Sequence, residues 1–282
     1  MSWMPLKDYQ QESIDELARY CAQVRGYQAR GADHPQRDAF EKVTERGYFS
    51  PPGFERTPYV CLRLPTGGGK TLLAAHALGT IGDKLLGTDR PACLWITPNT
   101  TIRDQTLRGL RDVNHPYRHA LQDVLDSSVE VVTIEDALTT PRCVNSNAAL
   151  VIVTTIQSYR IRDERSGEEL AATRRIYRDN GYLHMAFERI PAWARKELAC
   201  DENGLVDLSL ANALRLRRPI VIMDEAHNAR TPVSFESLAR FGPSFVLELT
   251  ATPEQKHDPQ HPTKPKFASN VLHAASGLLE KR

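Results

Sequence analysis

Short, unbroken apolar runs recur along the chain, at 59–64, 92–97, 129–134, 149–154, 219–223 and 245–249, each ending where turn or polar residues begin. A strand with one wet face alternates apolar and polar residues, whereas a continuous apolar run of about four to eight reads as a strand buried on both faces. Helix-compatible stretches separate these runs, at 71–86, 101–113, 116–126 and 232–241. Strands alternating with helices predict an α/β fold, a parallel β-sheet with helices on both faces. A chain of 282 residues can bury such a core, and no apolar run reaches the roughly 18 residues of a membrane span.

The flanks read differently. Residues 1–57 are expected to form an N-terminal helical segment: 7–26 carries Ile14, Leu17, Ala18 and Cys21 at helical spacing, and Ser50-Pro51-Pro52-Gly53 closes the segment as a loop. Residues 58–253 hold the strand signals and form the expected sheet domain. Within it, 157–217 lacks a strand signal, has helix-like pieces at 168–178 and 190–198, and reads as a helical insertion. Its Arg160, Arg162, Arg165, Arg174, Arg175 and Arg178 are interleaved with Asp163, Glu164, Glu168, Glu169 and Asp179, the pattern of a solvated helical surface. Residues 254–282 start polar and rich in Pro, His and Lys, and read as a linker. The five cysteines are scattered, and Cys61 and Cys93 sit inside strand runs, so buried reduced thiols are expected rather than disulfides or zinc. The N-terminus has no basic region followed by an apolar core, which gives a cytoplasmic expectation. A net charge of +1 means that any nucleic-acid surface must be local.

Leu64-Pro65-Thr66-Gly67-Gly68-Gly69-Lys70-Thr71 follows one apolar run and opens a helix. Glycines let a backbone wrap a phosphate with its N–H groups inward, and the helix N-terminus adds a favourable dipole. Thr66, Gly67, Gly68 and Gly69 form that cradle, Lys70 brings a charge to the β- and γ-phosphates of ATP, and the Thr71 hydroxyl suits Mg²⁺. The general pattern GxxxxGK[ST] has glycine where this chain has Leu64. A glycine-rich strand-to-helix turn with an incidental lysine is the bland alternative.

Ile220-Val221-Ile222-Met223-Asp224-Glu225-Ala226-His227 is an apolar run ending in two carboxylates. At the C-terminal edge of a parallel sheet, Asp224 suits the Mg²⁺ side of a phosphate site, and Glu225 suits a base that orients or deprotonates an attacking water. A strand ending in a solvated acidic pair is the alternative. Leu249-Thr250-Ala251-Thr252-Pro253 closes the following run, and the hydroxyls of Thr250 and Thr252 are candidates for coupling nucleotide state to another surface.

In this order the motifs resemble those of superfamily 2 helicases and translocases, in the branch lettered DEAH, and PTGGGKT is the form of the loop typical of that superfamily. The resemblance implies a RecA-like P-loop domain that uses ATP and Mg²⁺, with His227 completing the acidic motif. Leu6-Lys7-Asp8-Tyr9-Gln10 looks like the upstream glutamine motif, which gives Gln10 the role of reading adenine. Thr97-Pro98-Asn99 with Arg103 and Gln105, and Thr154-Thr155-Ile156-Gln157, look like the segments that line a nucleic-acid backbone. Hydroxyls, amides and helix N-termini contact phosphates without reading bases. Asp224-Glu225-Ala226-His227-Asn228-Ala229-Arg230, residues 175–181 and residues 267–273 further resemble the Res subunit of type III restriction enzymes.

That resemblance implies DNA as partner, a modification (methyltransferase) subunit beside it, and a second RecA-like domain supplying an arginine finger. Such a finger is worth ~10³ or more in rate, so weak turnover is expected of these residues alone. Three readings stand at this level: the ATP-binding half of a DNA translocase or helicase in restriction or phage defence, an RNA helicase fragment, and a nucleotide-dependent scaffold with little turnover.

Overall fold

The computed structural model describes residues 5–125, 128–139, 148–159, 176–178, 181–188, 190, 192, 194–225, 232–253 and 269–275. They build a seven-stranded, all-parallel sheet, and every apolar run named above supplies one strand. In chain order the strands are β1 (Tyr59–Arg63), β2 (Ala92–Thr97), β3 (Val129–Val132), β4 (Ala149–Thr155), β5 (Ile220–Asp224), β6 (Phe245–Thr250) and β7 (Val271–Ala274). Their order across the sheet is β3-β4-β2-β5-β6-β1-β7.

Two hydrophobic cores lie on opposite faces, and successive residues of one strand enter them in turn. Ile220 and Ile222 of β5 belong to one, Val221 and Met223 to the other. The first core receives α1 (Asp8–Ala29), α2 (Pro35–Thr44), α3 (Lys70–Ile81) and α5 (Pro116–Val124); α4 (Thr100–Arg111) adds Leu110. The second receives α6 (Ile134–Thr139), the single turn α7 (Ile156–Tyr159), α8 (Leu210–Arg217) and α9 (Pro232–Ala239). The expected fold class is therefore the one observed.

The flanking regions join the sheet and its cores. The N-terminal helical segment is part of the first core: Leu17, Tyr20, Cys21 and Val24 of α1 are fully buried, since their three-to-four-residue spacing lines one face of an uninterrupted helix. The region read as a linker contributes β7, which pairs with β1, while 254–268 lie outside the described residues. The region read as an insertion ends in α8, which is capped by Ser209 accepting from Asn212 N (3.2 Å) and packs on the second core, so it is a regular crossover helix into β5. Cys21, Cys61 and Cys93 are buried free thiols, as read, but Cys200 is exposed; Cys143 is outside the described residues.

The β3 edge is closed by side chains. Arg111 Nε donates to Val131 O (2.8 Å) and Arg118 Nη1 to Val129 O (3.0 Å), occupying carbonyls that a further strand would use.

Helix α3 meets α5 at a glycine. A Cβ on Gly79 would clash with Val124 Cβ and Cγ2, the second of which alanine at 124 would remove, and would stand 2.9 Å from Val124 O. Alanine in a helix gains about 1 kcal/mol over glycine, but overpacking against backbone costs about 1–3 kcal/mol. Gly79→Ala is expected to be destabilising by about 1–2 kcal/mol in urea titration, and Val124→Ala in the same chain to recover part of that loss.

Candidate functional site

The parallel ladders bring the C-terminal ends of β1, β6 and β5 to one edge in adjacent positions. β6 lies between the strand that feeds the glycine loop and the strand that carries the acids. Its end joins them: Leu64 N donates to Thr250 O (3.0 Å), and Glu225 N donates to Leu249 O (2.9 Å).

The loop leaves β1 through a turn closed by Gly68 N to Pro65 O (3.0 Å). Gly67 and Gly69 have φ of +75° and +74°, a left-handed conformation that side chains resist. Gly69 also caps α3, and a Cβ there would meet Gln10 Nε2 at 2.5 Å, so a side chain at 69 would displace the Gln10 amide. Gly68 O accepts from Gln10 Nε2 (2.9 Å) and from Tyr9 OH (3.0 Å). Gln10 Oε1 in turn accepts from Lys7 N (2.9 Å).

Lys70 and Glu225 make direct contact, Nζ to Oε1 at 2.6 Å, with side chains 10% and 26% exposed. Glu225 reaches Lys70 from a left-handed backbone, φ +54°. A non-glycine residue there carries strain of about 1–3 kcal/mol, which the ladder bond to Leu249 and the ion pair hold in place. Asp224 stands beside this pair. Burial raises its carboxyl from an ordinary 3.8 to about 6; the Lys70 charge opposes that rise, the Glu225 charge adds to it, and the Glu225 backbone N–H opposes it again.

Asp224 Oδ1 is buried without a hydrogen-bond partner. A desolvated carboxylate oxygen with no donor fits a cation such as Mg²⁺, and Thr71, half-buried at the start of α3, offers a hydroxyl for the same ion. Lys70 and the left-handed glycines fit a polyphosphate. The residues present therefore suit both groups.

The other sequence-derived candidates divide. Thr66 and Gly67 are exposed and Gly68 is buried. Thr250 is buried, its Oγ1 accepting from Thr252 N (3.2 Å), while Thr252 is exposed. Pro98 and Arg103 are half-buried and Gln105 is exposed at the start of α4, whose first turn Asn99 caps by accepting from Ile102 N (2.9 Å). Gln105 also lines an open groove of about 690 Å³ with Arg108, Arg111 and His115.

Thr97, Thr154 and Thr155 are 0–2% exposed. Thr97 Oγ1 lies within hydrogen-bonding distance of Thr154 O (3.1 Å) and Asn99 O (3.2 Å), and Thr155 Oγ1 lies 3.0 Å from Ser158 Oγ. Hydroxyls so enclosed brace the turns after β2 and β4. His227 is outside the described residues. Tyr9, whose hydroxyl joins Gln10 on Gly68 O, is a further site residue; its signal in the sequence is a hydroxyl-bearing aromatic directly before Gln10.

The type III restriction enzyme res subunit family matches residues 3–255, and the chain belongs to that family. It is a superfamily 2 helicase-type motor domain. Crystal structures of T4 UvsW and of the UvsW helicase from bacteriophage T4 are similar over 77% of this chain, at 14% and 13% identity with TM-scores of 0.34 and 0.33. The chain spans 34% of the first and 60% of the second. No curated protein sequence matches it. No described helix is long and apolar enough to cross a membrane.

Asp224 generates a pH prediction for the chain free of metal and nucleotide. Its folded value lies above its unfolded one, so ionisation opposes folding: the penalty is absent below pH 3.8, grows through pH 6 and is complete above that. Asp224→Asn is expected to stabilise the chain by about 1–3 kcal/mol at pH 7.5 and by little at pH 4, read as a melting-temperature difference that grows between those values.

Proposed function

We propose that this chain binds ATP·Mg²⁺ and hydrolyses ATP as the first motor domain of a DNA translocase or helicase acting in restriction or phage defence. The observation that carries this reading is the convergence of Lys70, Asp224 and Glu225 at one sheet edge, with Nζ and Oε1 2.6 Å apart. In this reading Lys70 leaves Glu225 for the β- and γ-phosphates, while Asp224 and Thr71 hold the metal. The metal supplies positive charge that neutralises the phosphates and the otherwise unpartnered Asp224 oxygen.

Glu225, released from Lys70, accepts the proton of the attacking water as its oxygen bonds to the γ-phosphorus and ADP leaves. Gln10 is the adenine-side residue, and Thr250 and Thr252, at the end of the strand that touches both halves of the site, couple it to the neighbouring surface. The start of α4 and the turn before it, with Gln105 exposed and Pro98 and Arg103 half-buried, support a backbone contact that leaves bases unread.

Family membership supports DNA over RNA, and a second RecA-like domain and a modification subunit as partners. A cytoplasmic place of action accords with this role.

Lys70→Ala is expected to abolish tight MgATP binding in a fluorescent-nucleotide titration; unchanged affinity refutes the site. Glu225→Gln, which also releases Lys70, should bind MgATP at least as well as the parent while losing turnover about a hundredfold or more. Turnover measured with duplex DNA, with RNA and with neither assigns the partner: stimulation by DNA supports the proposal, stimulation by RNA alone redirects it, and binding without turnover in any condition identifies a scaffold.

A further inference from the structure

Helix α1 is tied to β7 by a side-chain chain that ends on the glycine loop. Ser13 Oγ donates to Tyr9 O (2.8 Å) and lies 3.0 Å from His273 Nδ1. A hydroxyl has one proton, so with that proton on Tyr9 O the second contact requires His273 to donate from Nδ1–H. Ser13 is fully buried, and Glu12 Oε2 stands 4.0 Å from His273 Nε2. The first turns of α1 are thereby held at Tyr9 O, while the Tyr9 hydroxyl and the Gln10 amide hold Gly68 O.

Resting on the nucleotide-binding reading, we propose that His273 is a positioning residue for the phosphate loop, acting through Ser13 and the start of α1. Glycine residues hold several backbone states open, and in this loop Gly67 and Gly69 flank the peptide that Tyr9 and Gln10 hold. A trans peptide is planar, so a Gly68 carbonyl held toward α1 turns the Gly69 N–H away from α1. His273 fixes that choice from a strand far along the sequence. The competing role is a half-buried histidine that only staples an edge strand to a helix, which affects stability and leaves the loop alone.

The test uses the full chain, with hydrogen exchange at the amides of 66–71 without nucleotide and a MgATP titration beside it. His273→Ala is expected to speed exchange in the loop and to weaken MgATP affinity about three- to tenfold, the worth of one hydrogen bond. Ser13→Ala, which removes the other end, should do the same. His273→Asn, whose carboxamide N–H replaces Nδ1–H, should restore both. In a Tyr9→Phe, Gln10→Ala background, His273→Ala should change neither, because its route to the loop is gone.

A lower melting temperature with loop exchange and affinity unchanged overturns the proposal, and so does an equal loss of affinity in that background. If the parent binds no MgATP, the nucleotide reading falls, and loop exchange alone still decides whether His273 controls the loop.

Discussion

Two peptide hydrogen bonds at the end of β6 hold the candidate site together. One secures Leu64, where the chain leaves β1 for the glycine loop; the other secures Glu225, just past the end of β5. The ladders set a stagger, Arg63 opposite Thr250 and Asp224 opposite Leu249, which brings residues far apart in sequence to the same height. β6 has little freedom to shift, since every residue in it is buried. Its Glu248 is fully buried and accepts from Tyr59 OH at 2.6 Å, a further tie between β6 and β1. A one-residue slip would turn each side chain into the opposite core and carry Glu248 away from Tyr59, so the register that serves the site is the one the two cores demand.

The site stores unfavourable terms in return for that placement. Glu225 sits in a left-handed conformation, Asp224 carries a carboxylate whose burial opposes ionisation, and Lys70 is nearly enclosed against Glu225. Breaking one partner of a desolvated pair leaves the other charge uncompensated, which is costly unless a ligand charge replaces it. An anion that takes Lys70 therefore needs a cation for the acids, and the two arrive together in a metal–polyphosphate complex. Under the proposed function, this electrostatic balance favours binding of the complex over either component.

The fold was legible because strands buried on both faces leave an unmistakable record, and six of them did. β7 left none: Val271-Leu272-His273-Ala274 is short, lies at an edge and breaks its register beside a bulge. Leu210–Arg217 was read into an insertion because 157–217 carries no strand signal, although its helix packs on the second core and Arg217 Nη2 donates to Ala148 O at 3.0 Å.

The loop and the acids were legible for a topological reason, since a parallel sheet puts all strand ends at one edge. Burial of the Thr97 and Thr154 hydroxyls was not, because a local pattern does not say which side of a turn is enclosed. Nor was the Ser13–His273 contact, which spans 260 positions and obeys no periodicity.

Gln10 shows how base and phosphate recognition meet in one side chain. A primary amide offers two N–H donors and two lone pairs; here one donor serves Gly68 O and one lone pair serves Lys7 N. The unused donor and lone pair are the complement of adenine N7 and its amino group. The side chain is nevertheless only 3% exposed, enclosed by the loop it holds. Under the proposed function, a base that takes those remaining groups leaves the bond from Gln10 to Gly68 O in place, so α1 still holds the loop. The nucleobase thus acts on the same Gly68–Gly69 peptide that faces the phosphates, and discrimination at one end of a nucleotide is transmitted to the other through a single hydrogen bond.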